Sequence, residues 1–500
     1  MSSLSGRLAS WASGLRLDHV PQHTVELAKI QVLSQLAAIR AGGSHPLGQA
    51  LVRAYGAPLQ PDPCRSAAVL AGLGSWLNLD DTAYAGHLSN STVAVPLAFS
   101  RARGLTGAGL LAAVIAANEC AARVTAAATL GPFRGQTAAH TSLVGAVAGR
   151  LHAERAGESR WVDALGLALA MPPWTLIPAY VGSDARTLGA LLPVSMAMQA
   201  CEAAEAGLRG MPDVIEHPDG FLARFATVPL PEVVCEGLGQ RWHTDTLSFK
   251  VRPCGPGIDA AVDCAIELHQ KLDGVTAADI REVVVEASIY TVRVGHATRH
   301  YEAGPGTPTA ALPLSVPYTV ATALLHGDLN VADFSAPAVL DPARWELARS
   351  VRLSHDERMT TELFGSVAPF GEAVRRAGPR AAAWVSQFAG PADFTRLIGT
   401  RPQAKTFVRA TKQTPARVTV RLADGRVISG QRAIPVGGAG AGSPGVRAEL
   451  VREKFRRTGG DERVVALCAR LDRASAAELA EALDLALGLS SGISASCSFA

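Results

Sequence analysis

The 500 residues carry a net charge of only +3, from 47 basic and 44 acidic side chains, and the chain is 48% hydrophobic but just 5% aromatic. Such a balance gives no reason to expect the concentrated basic face that nucleic-acid binding needs, and so few aromatics argue against a base-stacking surface. The length exceeds what one hydrophobic core serves, so two domains, or one domain with an inserted part, are expected.

The N-terminal stretch MSSLSGRLASWASGLRL alternates apolar and polar residues and has no apolar core of a secretory leader, so a cytoplasmic protein is expected. HTVELAKIQVLSQLAAIR repeats its apolar residues (Val25, Leu27, Ala28, Val32, Leu33, Leu36) at a helical period, with Pro21 near its start. GAGLLAAVIAANECAARVTAAATL is apolar on nearly every side and reads as a central buried helix. SLVGAVAGRLHAERAG and WVDALGLALAM follow as helices whose small residues permit close packing. ALGLALAMPPWTLIPAYV is the most apolar window, but Pro172, Pro173 and Pro178 interrupt it, so a core helix running into a loop is expected and not a membrane span. Asp213 to Phe225 reads as a short helix, a turn, and a second helical turn.

After about Trp242 the pattern changes. A β-rich run from Val283 to Val294, a short strand in RSVRLSHD, and a hairpin around Asp424-Gly425 alternate with helices in GIDAAVDCAIELHQKL and YTVATALLHG. The glycine-rich VGGAGAGSPG reads as a flexible crossover into two terminal helices, and SSGISASCSFA as a disordered tail. The architecture expected is mainly α with an α+β part: an all-helical body from residues 1–246, completed by 438–500, and a smaller α+β lid from 247–437. The eight cysteines (Cys64, Cys120, Cys201, Cys235, Cys254, Cys264, Cys468 and Cys497) are scattered without a C-x-x-C pair, which is the pattern of reduced thiols.

Chemistry concentrates in LNLDDTAYAGHLSNST, residues 77–92, where Asn78, Asp80, Asp81, Thr82, Tyr84 and His87 follow directly on an apolar helix. Three readings fit these residue types. Carboxylates and imidazole bind metal ions, Asp and Thr cap helices, and a histidine clustered with hydroxyls and carboxylates serves as a general acid or base near neutral pH.

The core from Asp80 to His87, DDT-x-x-x-GH, resembles the D-x-DDT…H motif of the MmgE/PrpD family, which contains 2-methylcitrate dehydratase, cis-aconitate decarboxylase and iminodisuccinate epimerase. GQTAAHTSLVGAVAGR, SFKVRPCGPGIDAAVD and LPLSVPYTVATALLHGDL are similar to further family segments, in the family's order. The resemblance implies a helical domain with a smaller α+β lid, a homodimer, a small organic-acid substrate, no cofactor and no metal. It implies catalytic roles for His87, Lys250 and Tyr318, with Thr82 beside them in a cleft between body and lid. His87 would move the proton alpha to a carboxylate, Lys250 would bind the carboxylate, and Tyr318 would act as a second acid or a hydrogen-bond donor. Asn78, Asp81, Thr82, Gln136, His140 and Arg186 would contact the substrate.

Departures from the family pattern occur at substrate-holding positions. Asn78 stands where the motif has its first Asp, and Gln136 where a neighbouring segment has a His, with His140 four residues on. Arg186 replaces a lysine, Gly189 a histidine, and Leu88 a proline, while Trp174, Ile177 and Tyr180 bring apolar bulk nearby. These changes point to a substrate other than a citrate-type acid. A lyase or isomerase that abstracts an alpha proton is the first reading. A cyclase or dehydratase of bacterial specialised metabolism is the second, favoured by the high Ala, Gly and Arg content. A non-catalytic binding protein that inherited the fold is the third. His296 and His300 read first as solvated loop histidines, with an approach to the cleft from the lid as the alternative, and GGAGAG lacks the spacing and context of a nucleotide loop.

Overall fold

The computed structural model describes residues 3–132, 136–272, 274–390 and 402–487. Its helical part is organised around Gly107–Ala128, buried on almost every side, with Gln136–Ala153 packed along it. That helix is apolar and long enough to cross a membrane, yet it is wholly enclosed by protein. Thr106 accepts a hydrogen bond from Gly109 N at its N-terminus. Gln22–Ser44 and Pro63–Ser75 flank this centre and approach each other closely through glycine, since a Cβ on Gly42 would stand 1.9 Å from the Leu73 carbonyl oxygen.

The C-terminal helices pack on this same helical part. Pro444–Arg457 lies against Gln22–Ser44, and Gly107 N donates to the Ala474 carbonyl at 2.9 Å. Between these returning helices and the first 246 residues lies a four-stranded sheet. Its strands are β3 (Ile280–Ala287), β4 (Val351–His355), β5 (Ala416–Leu422) and β6 (Val427–Arg432), in spatial order β4-β3-β5-β6. β3 runs parallel to β4 and antiparallel to β5, and β5 and β6 form the hairpin turned by Asp424 and Gly425. Helix Asp259–His269 covers β5 and β6, and Val316–His326 packs on it and on β4.

Four sequence expectations need correction. The helical part is not purely helical: β1 (Thr82–Ala83) and β2 (Gly86–His87) form a minimal antiparallel ladder in the motif loop. The run expected as a strand to Val294 stops at Ala287, and Ile289–Thr298 is a helix. β-branched residues favour strands only weakly, and here packing of Gly295 against Leu353 and Val316 overrides them. Residues 213–220 are turns, so only Phe221–Phe225 is helical in that segment. Finally, the glycine-rich crossover is pinned: Phe249 N donates to Gly437 O at 2.9 Å, Lys412 N to Ala439 O at 3.0 Å, and Ala439 N to Ser248 Oγ at 3.0 Å. Gly437 has φ of 81°, and a Cβ there would meet the Phe249 carbonyl oxygen at 2.1 Å, so glycine serves close approach and not flexibility. The expected tail lies outside the described residues.

Candidate active site between the helical body and the lid

The motif loop begins where Pro63–Ser75 ends. Asn78 takes a left-handed conformation, φ 53°, which Asn tolerates better than most residues. Tyr84 also has φ 53°, a strained state for a bulky side chain, held by its hydroxyl contact with His243 Nδ1 at 2.9 Å and its ring edge on Phe407. Turning there brings His87 opposite Thr82. Backbone bonds between Thr82 and Ser248, at 2.9 and 3.1 Å, stitch the loop to the segment entering the lid.

His87 Nδ1 lies 2.7 Å from Asp80 Oδ2, and Asn90 Nδ2 donates to the same oxygen at 2.9 Å. Asp80 is fully buried. Desolvation pushes its carboxyl up, but the His87 charge and hydrogen bond, with Lys250 beyond them, outweigh this and leave it below the usual carboxylate range. An imidazole anchored through Nδ1 by an ionised carboxylate has its tautomer and orientation fixed, and it keeps Nε2 for the space that His87 lines.

That space is a cavity of about 370 Å³. From the body come Asn78, Ala85, His87, Thr129, Tyr180 and Arg186; from the lid come Tyr290, Val294, His296, Leu314, Phe370 and Trp384. Trp384 Nε1 donates to Gly131 O at 2.9 Å, tying the lid to the body at the cavity wall. Two buried polar atoms on this wall, Asn78 Nδ2 and Thr129 Oγ1, have no hydrogen-bond partner among the described residues. Arg186 is 1% exposed, donates through Nε to Trp76 O at 2.9 Å and through Nη1 to Ala310 O at 3.0 Å, and lies over the Tyr180 ring. Among the described residues it forms no ion pair, and burial draws its pKa below the ordinary value against the pull of Tyr180 and Asp80.

Of the expected site residues, Asn78, His87 and Arg186 therefore meet at one cavity. Thr82 is adjacent but engaged, its Oγ1 accepting from Lys412 Nζ at 3.0 Å. Lys250 is buried behind the loop, donating to Cys254 O at 3.3 Å, and it acts on Asp80 through charge and not on the cavity by contact. Asp81 is buried beneath the loop, accepting from Ser34 Oγ at 2.6 Å and Ser89 Oγ at 2.9 Å. Burial pushes its carboxyl up to about 6, with Lys454 and the two hydroxyls opposing. Its role is to seat the loop.

Tyr318 and His140 fall elsewhere. Tyr318 is enclosed in the lid, its hydroxyl donating to the Asp333 carbonyl and its ring against Trp345, because the helix start capped by Ser315 turns it into the lid core. His140 is wedged between Phe221 and Phe225 with Nε2 at 3.0 Å from Pro173 O, and burial drives its pKa down to about 4. The helix period turns it away from the cavity while Ala138 faces it. The side chain of Gln136 lies outside the described residues.

Sequence reasoning missed several contributors. Asp80 was legible within the loop, but its pairing with His87 needed the β1–β2 turn. His296 was read first as a loop residue and instead lines the cavity from helix Ile289–Thr298. Lys412 and Lys454, both buried, carried no local signal. Lys454 donates to Ser34 Oγ at 2.7 Å and Leu79 O at 2.6 Å, and burial lowers it to about 8 even though Asp81 and Asp80 favour its charged form. Among the described residues, no group of three His, Cys, Asp or Glu side chains has the arrangement of a metal site.

Residues 6–233 match the MmgE/PrpD N-terminal domain and residues 253–377 the MmgE/PrpD C-terminal domain. Asn78, His87 and Arg186 lie in the first match, and Tyr290, Leu314 and Phe370 in the second. The chain is similar to a cis-aconitate decarboxylase of Aspergillus terreus (strain NIH 2624 / FGSC A1156), 26% identical over 402 residues, covering 71% of this chain and 79% of the relative. A second Aspergillus terreus cis-aconitate decarboxylase is 25% identical over the same shares. With both domain models matched in order across most of its length, the chain belongs to the MmgE/PrpD family.

Proposed function

We propose that this protein is a lyase or isomerase that removes a proton alpha to a carboxylate or carbonyl of a small molecule held between body and lid. The observation that carries the reading is the His87–Asp80 pair at 2.7 Å, with the imidazole on the cavity wall and the carboxylate fully buried. His87 Nε2 takes the alpha proton. Asp80 stabilises the imidazolium that results, and the proton is then available to a leaving hydroxyl, to the carbon after loss of carbon dioxide, or to the opposite face. Negative charge builds on the substrate's carbonyl or carboxylate oxygens as the carbon–hydrogen bond breaks. Arg186 and the unpartnered Asn78 Nδ2 are a preorganised cation and donor for that charge, in a site where desolvation strengthens both. The similarity to cis-aconitate decarboxylases supports lyase chemistry.

The substrate is not of the citrate type. A Cβ at Gly189 would meet the Tyr180 ring at 2.6 Å, so the space of a side chain there is filled by an aromatic face. The experiment is hydrogen–deuterium exchange at the alpha carbon of candidate acids in D2O. Replacing His87 by Asn should slow exchange by roughly 10²–10⁴-fold, the usual range for a lost general base. Equal exchange rates in parent and variant would remove His87 from the mechanism.

A further inference from the structure

The cavity is divided by chemistry. Its buried cation and its buried donors without a partner among the described residues, Arg186, Asn78 Nδ2 and Thr129 Oγ1, come from the body together with His87, while the lid's charged or titratable side chains, Arg293 and His296, stand at the exposed rim. The opposite wall, supplied by the lid, is Pro256, Tyr290, Val294, Leu314, Phe370 and Trp384. Three of those rings form one preassembled cluster: Tyr290 meets Phe370 edge-on at 5.3 Å, and Phe370 meets Trp384 at 5.4 Å. Trp384 in turn stacks on Phe388 at 4.8 Å, so the wall is backed by a packed core and does not need to rearrange around a ligand.

The charges on the wall set how many anionic groups fit. Arg186 is the buried cation, and it has no carboxylate partner among the described residues. A buried guanidinium without a counter-ion is costly, and one bound carboxylate relieves it. Arg293 and His296 are exposed at the rim, and the Arg293 guanidinium is already committed to the Gln387 and Phe388 carbonyls. Lys250, Lys412 and Lys454 are turned to protein acceptors outside the cavity. A tricarboxylate would therefore meet one buried cation, Arg186, and set its further carboxylates against the lid rings or at the exposed rim beside His296.

We infer that the substrate is a monoanionic acid with a bulky apolar body, aromatic or alicyclic, its single carboxylate on Arg186 and Asn78 and its ring against the Tyr290–Phe370–Trp384 wall. This rests on the proposed alpha-proton chemistry for its orientation, since it sets the carbon beside the carboxylate next to His87. It adds the substrate class, and binding alone tests that class.

The test is calorimetric titration of the His87→Asn protein, in which binding is separated from turnover. The probes are 3-phenylpropanoate and cyclohexylacetate on one side, citrate and cis-aconitate on the other. The apolar monoacids should bind at least about tenfold tighter, with the negative heat-capacity change of apolar burial. Asn78→Asp in the same background sets a carboxylate beside the ligand's own. It should weaken 3-phenylpropanoate about tenfold or more, leaving the neutral 3-phenylpropanamide within about twofold, as charge repulsion in a desolvated site requires. Arg186→Gln should abolish monoacid binding. Tighter binding of citrate or cis-aconitate, no measurable binding of either monoacid, or equal effects of Asn78→Asp on acid and amide would each overturn the inference. Monoacids that bind as described, yet exchange no alpha deuterium in the parent protein, would leave the substrate class standing and sink the chemistry instead.

Discussion

Replacing Asp80 by Asn isolates the charge of the orienting residue from its shape. The oxygen that now accepts from His87 Nδ1 (2.7 Å) and Asn90 Nδ2 (2.9 Å) can be the amide oxygen. The amide nitrogen then takes the place of Oδ1, which has no hydrogen-bond partner among the described residues of the parent. Local geometry is therefore retained, and what disappears is the buried negative charge facing an imidazolium as it forms. Loss of that charge should cost about 3–5 kcal/mol in the transition state, equivalent to roughly 10²–10⁴ in rate, in line with orienting carboxylates in other histidine-based sites. The assay is the alpha-carbon exchange rate under single-turnover conditions, with near-ultraviolet circular dichroism checking that the packed aromatic lid persists. A variant that folds and exchanges within about threefold of the parent would show that Asp80 does not support His87, and the dyad would have no mechanistic role. The same carboxyl has a pH signature. Its folded pKa lies below the ordinary 3.8, so its contribution to stability is complete above the unfolded value and is lost as pH falls through the folded one. Acid unfolding below about pH 4 should accordingly be less steep in Asp80→Asn.

Other outcomes follow from buried groups away from the chemistry. His140 has its pKa driven down to about 4, so the unfolded chain binds the extra proton between there and the ordinary 6.5, and stability should rise with pH across that window. His140→Phe should flatten this rise by about 2 kcal/mol between pH 5 and pH 7, read from urea midpoints at the two pH values. Arg123, fully buried, donates to Glu119 at 3.2 Å and to the carbonyls of Glu236 and Arg241 at 2.7 and 2.6 Å. Arg123→Met should destabilise by about 3–5 kcal/mol in chemical denaturation, because Glu119 is left as an uncompensated buried carboxylate. A Cβ at Gly107 would stand 1.7 Å from the Leu471 carbonyl oxygen, so Gly107→Ala should lower stability by at least about 1–3 kcal/mol and raise amide exchange in Ala476–Ala486. Unchanged exchange in that helix would mean the C-terminal segment is not seated through this contact.

The helices of the body were legible from periodicity, above all Gly107–Ala128, because a helix buried on every side needs an unbroken run of small and apolar residues. The β5–β6 hairpin was equally plain, since an Asp-Gly turn between alternating strands has few other solutions. Helix Ile289–Thr298 was not legible: its valines, isoleucine and tyrosine favour a strand locally, and only packing between Val316, Leu353 and the cavity selects the helix. The same division holds in the site. Sequence alone singled out Asn78, Asp80 and His87, because polar groups crowded after an apolar helix are costly unless they are used or paired. The family resemblance added Lys250, to bind the substrate carboxylate, and Arg186, to contact the substrate. Tertiary structure decided that Arg186 faces the cavity without a counter-ion among the described residues while Lys250 sits behind Asp80, that Tyr318 belongs to the lid core, and that His296 reaches the rim. The reason is physical. Spacing along a chain fixes which side chains share a face of one element, but which of two faces meets a cavity depends on partners hundreds of residues away. Here those partners are the lid aromatics and the returning helix that carries Lys454.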